Sequence, residues 1–250
     1  MPGRLSLATA GLAILITLLT VGALYPRSQI FGRVKWRGAN RLPTVALTFD
    51  DGPNGEYTPQ ILDVLRDHDA VATFFVVGKN VERYPEVVLR AAKEGHVIGS
   101  HSFNHKALTF RRIESIRQKI EQTEGAVLVA AGLAPTLFRP PYGFRNPMVL
   151  RAARDLGYQV VTWSVTSTDW KRIGAAAIAR QVLDKVRPGS IVLFHDGPGD
   201  RSQTVESLPI IVDELHRRGY WTVTVPELLA AHVAAAEHLS LPSSTPEPAG

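Results

Sequence analysis

The hydrophobic residues of this 250-residue chain fall into short continuous runs that alternate with longer stretches of helical periodicity. The short runs predict strands near 44–49, 72–77, 96–100, 136–139, 158–165, 190–195 and 220–225. The periodic stretches predict helices near 57–68, 80–94, 109–131, 146–156, 174–187, 204–218 and 226–238. Apolar strands that are each followed by a helix indicate an α/β fold with a parallel sheet covered by helices. Seven such units predict a closed or nearly closed (β/α) barrel.

The N-terminal segment differs from the rest, because residues 5–25 are almost entirely apolar and carry no charge. Its length predicts a transmembrane anchor over residues 1–25. A cleaved signal peptide is the alternative, with Val21-Gly22-Ala23 as a small-residue cleavage site. The basic residues that follow would by themselves favour a cytoplasmic C-terminal side: Arg27, Arg33, Lys35, Arg37 and Arg41. We nevertheless expect an extracytoplasmic domain, because of the substrate discussed below.

Composition divides the remaining chain into a linker, a domain and a tail, and it limits the kinds of partner and metal ligand that the chain can use. Residues 26–43 read as a basic linker, 44–239 as one globular domain, and 240–250 as a disordered, proline-rich tail. The formal charge of +5 is spread over predicted helix faces without a basic and aromatic stripe, which argues against a nucleic-acid partner. The chain has no cysteine, so any metal would have to be held by histidine and carboxylate.

Two adjacent acids, Asp50 and Asp51, end the first predicted strand and are followed by Gly52-Pro53. Successive side chains of a strand point to opposite faces, so both acids can serve one site only if the chain leaves strand geometry there. A Gly-Pro pair favours such a turn. One acid could then hold a metal while the other moves a proton.

A pair of histidines, His101 and His105, follows another short strand. If the chain forms a helical turn there, the i, i+4 spacing places both imidazoles on one face, where they can chelate one ion. The same spacing is common by chance in surface or capping histidines. The position of the pair favours metal binding over a chance spacing, because the loops after parallel barrel strands converge on one face, where Asp50 and Asp51 also lie.

Three further segments carry polar groups at strand ends. In Arg139-Pro140-Pro141-Tyr142-Gly143 the prolines stiffen a loop that can aim the Tyr142 amide at an oxyanion, and Arg139 can pair with a carboxylate. The segment from Trp163 to Trp170 contains Asp169, and its alternative interpretation is core aromatics around a surface acid. His195 ends a very apolar run. A lone histidine in such a place is more often structural, but its position at the carboxyl end of a strand favours a functional role.

Taken together, these motifs resemble those of the polysaccharide deacetylases, the carbohydrate esterases of family 4 that include chitin and peptidoglycan N-acetylglucosamine deacetylases. The resemblance covers roughly residues 44–230, and the five motifs occur in order: Thr48-Phe49-Asp50-Asp51-Gly52-Pro53, His101-Ser102-Phe103-Asn104-His105, Arg139-Pro140-Pro141-Tyr142-Gly143, Asp169-Trp170 and Leu193-Phe194-His195. It implies a distorted (β/α) barrel of seven or eight strands and a hydrolase that removes N-acetyl groups from an acetylated amino-sugar polysaccharide.

The resemblance also implies a role for each site residue. Asp51, His101 and His105 would bind a divalent metal, most commonly zinc, with cobalt, nickel or manganese as alternatives. Asp50 would be the general base, paired with Arg139. His195 would be the general acid, oriented by Asp169. The Tyr142 amide would bind the oxyanion, and Leu193 and Trp170 would form the wall around the acetyl methyl group.

Two other functions remain open at the level of the sequence. One is an O-acetyl esterase acting on xylan or another acetylated glycan, since the same site serves both bonds. The other is a glycan-binding relative that has lost catalysis, whose signature would be erosion of Asp50, His195 or a metal ligand; none of these is missing. Many relatives carry a further acid three residues before Asp169, where this chain has Thr166. That acid is an alternative partner for the catalytic histidine.

Overall fold

The computed structural model of the protein describes residues 7–39 and 41–230. Its helices are α1 Leu7–Leu24, α2 Tyr57–Asp67, α3 Gly78–Arg83, α4 Pro85–Lys93, α5 Ile113–Ala131, α6 Pro147–Asp155, α7 Ala175–Leu183 and α8 Ser202–Arg217. Its strands are β1 Thr44–Asp50, β2 Ala72–Val76, β3 Val97–Ser100, β4 Leu137–Phe138, β5 Gln159–Val160, β6 Val165–Thr166, β7 Ser190–His195 and β8 Trp221–Thr222. Two single 3₁₀ turns follow β4 and β6, at Pro141–Gly143 and Asp169–Lys171.

The strands form one parallel sheet in the order β5-β4-β3-β2-β1-β7-β6, with β8 paired to β1. β1 lies in the interior of the sheet, and six of its seven residues are buried. This burial is what a strand covered on both faces shows. The sheet is curled into a half-barrel, and the order ends at β5 and β6 without pairing them to each other. The α/β class and the parallel strands are therefore confirmed, and the architecture is consistent with a distorted (β/α) barrel that is not closed by hydrogen bonds between these edges.

The sequence pattern located most elements but missed two interruptions. The strand predicted over 158–165 is divided into β5 and β6, because Val160 and Thr162 bond to Lys35 of the preceding segment (Lys35 N to Val160 O and Thr162 N to Lys35 O, both 2.8 Å). The helix predicted over 80–94 is divided into α3 and α4 at Tyr84, since Pro85 cannot continue an existing helix and begins a new one. Of the last predicted helix, residues up to 230 are helical, and the remainder lies outside the described residues, as does the tail 240–250.

The apolar N-terminal segment forms α1, whose side chains are largely exposed except near its C-terminal end. That end contacts the barrel through the fully buried Arg145, which donates to the carbonyl oxygens of Tyr25 and Ser28. In the part of the chain that the structure describes, no helix has both the length and the hydropathy required to span a bilayer. The transmembrane prediction for residues 1–25 thus has no support in the structure, and residues 1–6 lie outside the described part.

The segment expected to be a linker packs on the barrel. Val34 is buried, Arg37 forms an isolated bridge with Ser190, and the Arg27 guanidinium donates to the carbonyl of Ser164 at 2.7 Å. Residues 26–39 therefore pack against the sheet at two places, beside Val161 after β5 and beside Ser190 in β7.

His96, which precedes β3, is buried against Phe74 and accepts a hydrogen bond from the Ala72 amide through Nδ1 at 3.1 Å. Burial lowers the pKa of His96 from 6.5 to about 4. Because the unfolded chain takes up this proton near pH 6.5 and the folded chain only near pH 4, the free energy of unfolding falls as the pH drops through that interval.

We expect the free energy of unfolding to fall by about 3 kcal/mol between pH 7 and pH 4 because of the protonation of His96 in the unfolded chain. Denaturant unfolding of the wild type and of His96→Gln at several pH values in this range measures it, since the variant should lose this part of the pH dependence. His216→Gln is the matched control, because His216 is exposed. Equal pH dependence in the wild type and His96→Gln would contradict the assignment.

Candidate functional site

The two acids that end β1 face one site because the backbone changes direction between them. Asp50 is the last residue of the strand, and Asp51 has φ +80°, a left-handed conformation that is uncommon outside glycine. The turn is held by the carbonyl of Asp51, which accepts from the Asn80 side chain at 2.7 Å, and by that of Gly52, which accepts from the Val77 amide at 2.8 Å. The packing of α3 and its N-terminal loop thus fixes the change of face that the Gly-Pro pair suggested.

A further residue, Asp196, holds the same turn from the side of β7. Its buried carboxylate accepts the Gly52 amide at 2.8 Å through Oδ1 and the Thr58 hydroxyl at 2.8 Å through Oδ2. A Cβ at position 52 would lie 1.9 Å from Asp196 Oδ2, so only glycine fits there. Burial raises the pKa of Asp196 to about 7, and the nearby charge of Asp51 acts in the same direction against the Thr58 hydrogen bond. The sequence motifs predict no role for Asp196, and its position next to His195 is the one signal that points to it.

Asp51, His101 and His105 bring three ligand atoms within 4.8 Å of one another. Asp51 Oδ1 lies 2.9 Å from His105 Nε2 and 3.4 Å from His101 Nε2, yet it is buried and accepts no hydrogen bond of good geometry from the described residues. His101 Nδ1 lies 2.7 Å from the Arg139 carbonyl, which can only accept, so Nδ1 carries a proton and Nε2 is the ring nitrogen that faces Asp51. Burial opposes ionisation of Asp51, but the two imidazoles outweigh it and hold its pKa well below the usual value.

This donor set fits a divalent cation. It offers two imidazole nitrogens and one carboxylate oxygen, the set typical of catalytic zinc sites, and the orphaned Asp51 oxygen is explained by an ion. The expected helical turn is wrong, however. Residues 101–105 form a bend in which Ser102 and His105 have φ values of +66° and +53°, and this left-handed backbone brings the two rings to 5.0 Å.

Asp50 lies beside this cluster and is ion-paired with Arg139. Its Oδ1 is 2.6 Å from Arg139 Nη1, while Oδ2 is left facing the cluster, 3.8 Å from His101 Nε2. The fully buried guanidinium also donates to the Thr48 hydroxyl and the Thr162 carbonyl, and it lies 4.0 Å above the Phe75 ring. Because these contacts hold Arg139 in place, Asp50 keeps one oxygen engaged and presents the other to the pocket.

His195 and Asp169 form a second pair on the opposite side of Asp50. The β1–β7 register places His195 directly beside Asp50, and His195 Nδ1 lies 2.9 Å from Asp169 Oδ1. Asp169 is fixed by hydrogen bonds from the Ser167 and Thr204 hydroxyls and from the His195 amide. Although burial opposes the charged form, the contact with Asp169 raises the pKa of His195, which favours the imidazolium.

Among the described residues, Asp169 is thus the acid that contacts this histidine. Thr166, which stands where many relatives have a further acid, instead accepts from the Thr168 amide and, through its carbonyl, from Gln181.

These groups open into one cavity of about 390 Å³ at the carboxyl ends of the strands. Eight of the ten candidate residues line it: Asp50, Asp51, His101, His105, Tyr142, Trp170, Leu193 and His195. Arg139 and Asp169 lie behind the wall and contact the lining residues Asp50 and His195. Tyr142 has φ +61°, and its ring packs 4.7 Å from that of His105. Trp163 and Arg201 also line the cavity. The sequence pattern predicts Trp163 only as a core aromatic, and Arg201 belongs to none of the five motifs.

Fold and site together define a hydrolase-type centre on an α/β half-barrel, with an acid, a histidine paired to an acid, and a candidate metal site in one pocket. A family model described as polysaccharide deacetylase matches residues 37–161. The chain belongs to the polysaccharide deacetylase family, and it is a deacetylase of the carbohydrate-esterase type.

Similar proteins extend this match over most of the domain. A peptidoglycan-N-acetylglucosamine deacetylase of Bacillus cereus is 43% identical over 201 residues, which cover 79% of this chain and 93% of that protein. A chitooligosaccharide deacetylase of Rhizobium leguminosarum bv. trifolii is 39% identical over 194 residues, covering 73% of this chain and 90% of that protein. A crystal structure of a peptidoglycan N-acetylglucosamine deacetylase superimposes with a TM-score of 0.77 at 39% identity, covering 79% of this chain and 92% of the other.

Proposed function

We propose that this protein is a metal-dependent hydrolase that removes N-acetyl groups from N-acetylglucosamine-containing polysaccharide, peptidoglycan or chitin-like oligomers, and releases acetate. The observation that carries the proposal is the convergence of Asp51, His101 and His105 beside both Asp50 and the His195–Asp169 pair. The names of the similar deacetylases point to the same substrate class.

The cation would be held by Asp51, His101 and His105, and zinc fits this nitrogen and oxygen donor set best, with cobalt, nickel and manganese as alternatives. When bound, such an ion lowers the pKa of water and polarises a carbonyl oxygen. All other steps fall to the protein's own residues.

Asp50 is placed to act as general base. Its Oδ2 can take a proton from the attacking water, while Arg139 engages Oδ1 and holds the carboxylate in position. The water oxygen bonds to the acetyl carbon, and the electron pair of the carbonyl π bond moves onto the carbonyl oxygen. When that pair re-forms the C=O bond, the C–N bond breaks and His195, favoured in its charged form by Asp169, donates a proton to the leaving nitrogen, so that the amino sugar and acetate result.

The remaining lining residues position the acetyl group. The Tyr142 amide would donate to the developing oxyanion, and Leu193 and Trp170 would form an apolar wall for the methyl group. Trp170 packs edge-on against His195 at 5.2 Å, which also limits the movement of that imidazole.

Acetate release from three substrates tests the function. The full chain is incubated with chitotetraose, with peptidoglycan and with acetylated xylan, and released acetate is measured. We expect release from the first two, its loss after the protein is stripped with a chelator, and its recovery on addition of zinc. Release from acetylated xylan alone would establish the O-acetyl esterase instead, and release from none of the three would support the non-catalytic glycan-binding relative.

We also propose that the domain acts outside the cytoplasm, where cell-wall glycans are found. The exposed apolar side chains of α1 support an N-terminal segment that directs export. A C-terminal alkaline phosphatase fusion tests this, since that reporter is active only after export. An inactive fusion of full length would contradict the proposed location.

A further inference from the structure

Arg201 is a cation in the wall of the catalytic cavity that the proposed reaction does not use. It is the last residue before α8 and lines the cavity together with Asp50, His195 and Trp170. Its Nη2 donates to the carbonyl of Pro198 at 2.6 Å, which fixes the direction of the side chain. Its Nε is buried and finds no hydrogen-bond partner among the residues that the structure describes. A guanidinium held in this way has donors left over for a ligand.

No carboxylate of the described residues lies within ion-pair distance of the Arg201 guanidinium. Its neighbour Asp200 is already engaged, with Oδ2 at 2.5 Å from Arg172 and Oδ1 accepting from the Tyr57 hydroxyl at 3.3 Å. Among the described residues, Arg201 forms no ion pair. By contrast, the other arginine at the site, Arg139, is ion-paired with Asp50. Within the described part of the chain, Arg201 is therefore the arginine of this cavity that has no ion-pair partner.

The two candidate substrates differ in whether they carry a carboxylate that could pair with Arg201. Chitin-like oligomers are neutral and carry only hydroxyl and acetamido groups. Glycan strands of peptidoglycan alternate N-acetylglucosamine with muramic acid, whose lactyl group carries a carboxyl that is either free or linked to a peptide with carboxylates of its own. Arginine is the side chain best suited to a carboxylate, because its planar fork can donate two parallel hydrogen bonds.

We propose that Arg201 is a specificity-determining residue that binds a carboxylate next to the acetamido group being hydrolysed, and so directs the enzyme to acidic glycans over neutral ones. This inference rests on the proposed deacetylase function and adds the charge of the preferred substrate. The open face of the cavity, bordered by the exposed aromatic side chains of Tyr142 and Trp170, leaves room for the neighbouring sugar that would carry the carboxylate.

Three substrates and three variants test the proposal. The substrates are chitotetraose, a peptide-free tetrasaccharide of alternating N-acetylglucosamine and muramic acid, and the same tetrasaccharide carrying its stem peptides. For Arg201→Ala we expect kcat/KM to fall roughly 10- to 100-fold on a carboxylate-bearing substrate, as for loss of a charge-assisted hydrogen bond, and less than about 3-fold on chitotetraose. Arg201→Lys should recover part of the loss, because it keeps the charge without the fork.

The arms of the experiment separate the possible outcomes. A loss confined to the peptide-free tetrasaccharide identifies the lactyl carboxylate, and a loss confined to the peptide-bearing one identifies the stem peptide; either supports the proposal. Arg66→Ala, which removes an exposed arginine of α2, is the control for net charge. An equal loss on all three substrates, or no loss on any, would overturn the role of Arg201. Absence of acetate release by the wild type from every substrate would instead overturn the proposed function.

Discussion

Asp50→Asn is expected to lower kcat by roughly 100- to 10,000-fold, the range associated with loss of a general base. The amide is nearly the same size as the carboxylate but cannot take a proton from water. Arg139 can still donate to its oxygen, and the contacts of Arg139 with Thr48 and Thr162 remain, so the fold should be kept. The cation ligands are untouched, and we expect the purified variant to hold the same amount of metal as the wild type.

Acetate release and metal content, both measured on the same preparation, check this result. Asp67→Asn is the matched control, because it makes the same chemical change at an exposed carboxylate on α2. Full activity of Asp50→Asn would exclude Asp50 as the base. Loss of metal together with activity would show that Asp50 serves the ligand cluster instead.

His101→Ala is expected to abolish both metal binding and turnover. His101 is buried, and the Arg139 carbonyl sets its orientation, so its Nε2 is held toward Asp51 and its removal takes one of the three ligand atoms from the cluster. Loss of a residue that merely orients a ligand already weakens metal affinity by roughly 10- to 100-fold, and we expect loss of the ligand itself to exceed that. Turnover should fall to the level of the metal-stripped wild type.

Zinc affinity, measured by titration against a competing chelator, provides a readout that does not depend on activity. His216→Ala removes an exposed histidine on α8 and should bind zinc as the wild type does. Circular dichroism identifies variants that fail to fold. A folded His101→Ala with unchanged zinc affinity would refute the proposed metal site.

Much of this site could be recognised from sequence because its parts stand at strand ends. The apolar runs before Asp50 and His195 define buried strands, and the β1–β7 register places these two residues side by side. A residue at the end of a buried parallel strand lies at the same edge of the sheet as its counterparts, whatever their separation along the chain. Asp169 lies near the same edge, because it comes three residues after the end of β6, which pairs with β7.

What the sequence missed depends on contacts between distant segments. The helical turn expected for His101 and His105 rested on local spacing, whereas their backbone is set by the loop that packs beside α3: the Ser102 and Phe103 carbonyls accept from Gly78 and Lys79. The split of the strand at 158–165 likewise depends on Lys35, over a hundred residues away. Arg201 has no pattern around it, and only the shape of the cavity shows that it faces the site.

Hydrophobic periodicity and motif order are local properties of the chain, so they suffice to predict the α/β class, the order of the strands and helices, and the residue types available for chemistry. Only the packed fold shows that the sheet is a half-barrel, that Asp50 and Asp51 share one pocket, that Asp169 is the partner of His195, and that Arg201 beside them has no ion-pair partner among the described residues. These outcomes depend on the left-handed turn at Asp51, on strand register, and on side chains such as Asp196 that hold one loop against another. Such distances are fixed only when the whole sheet packs.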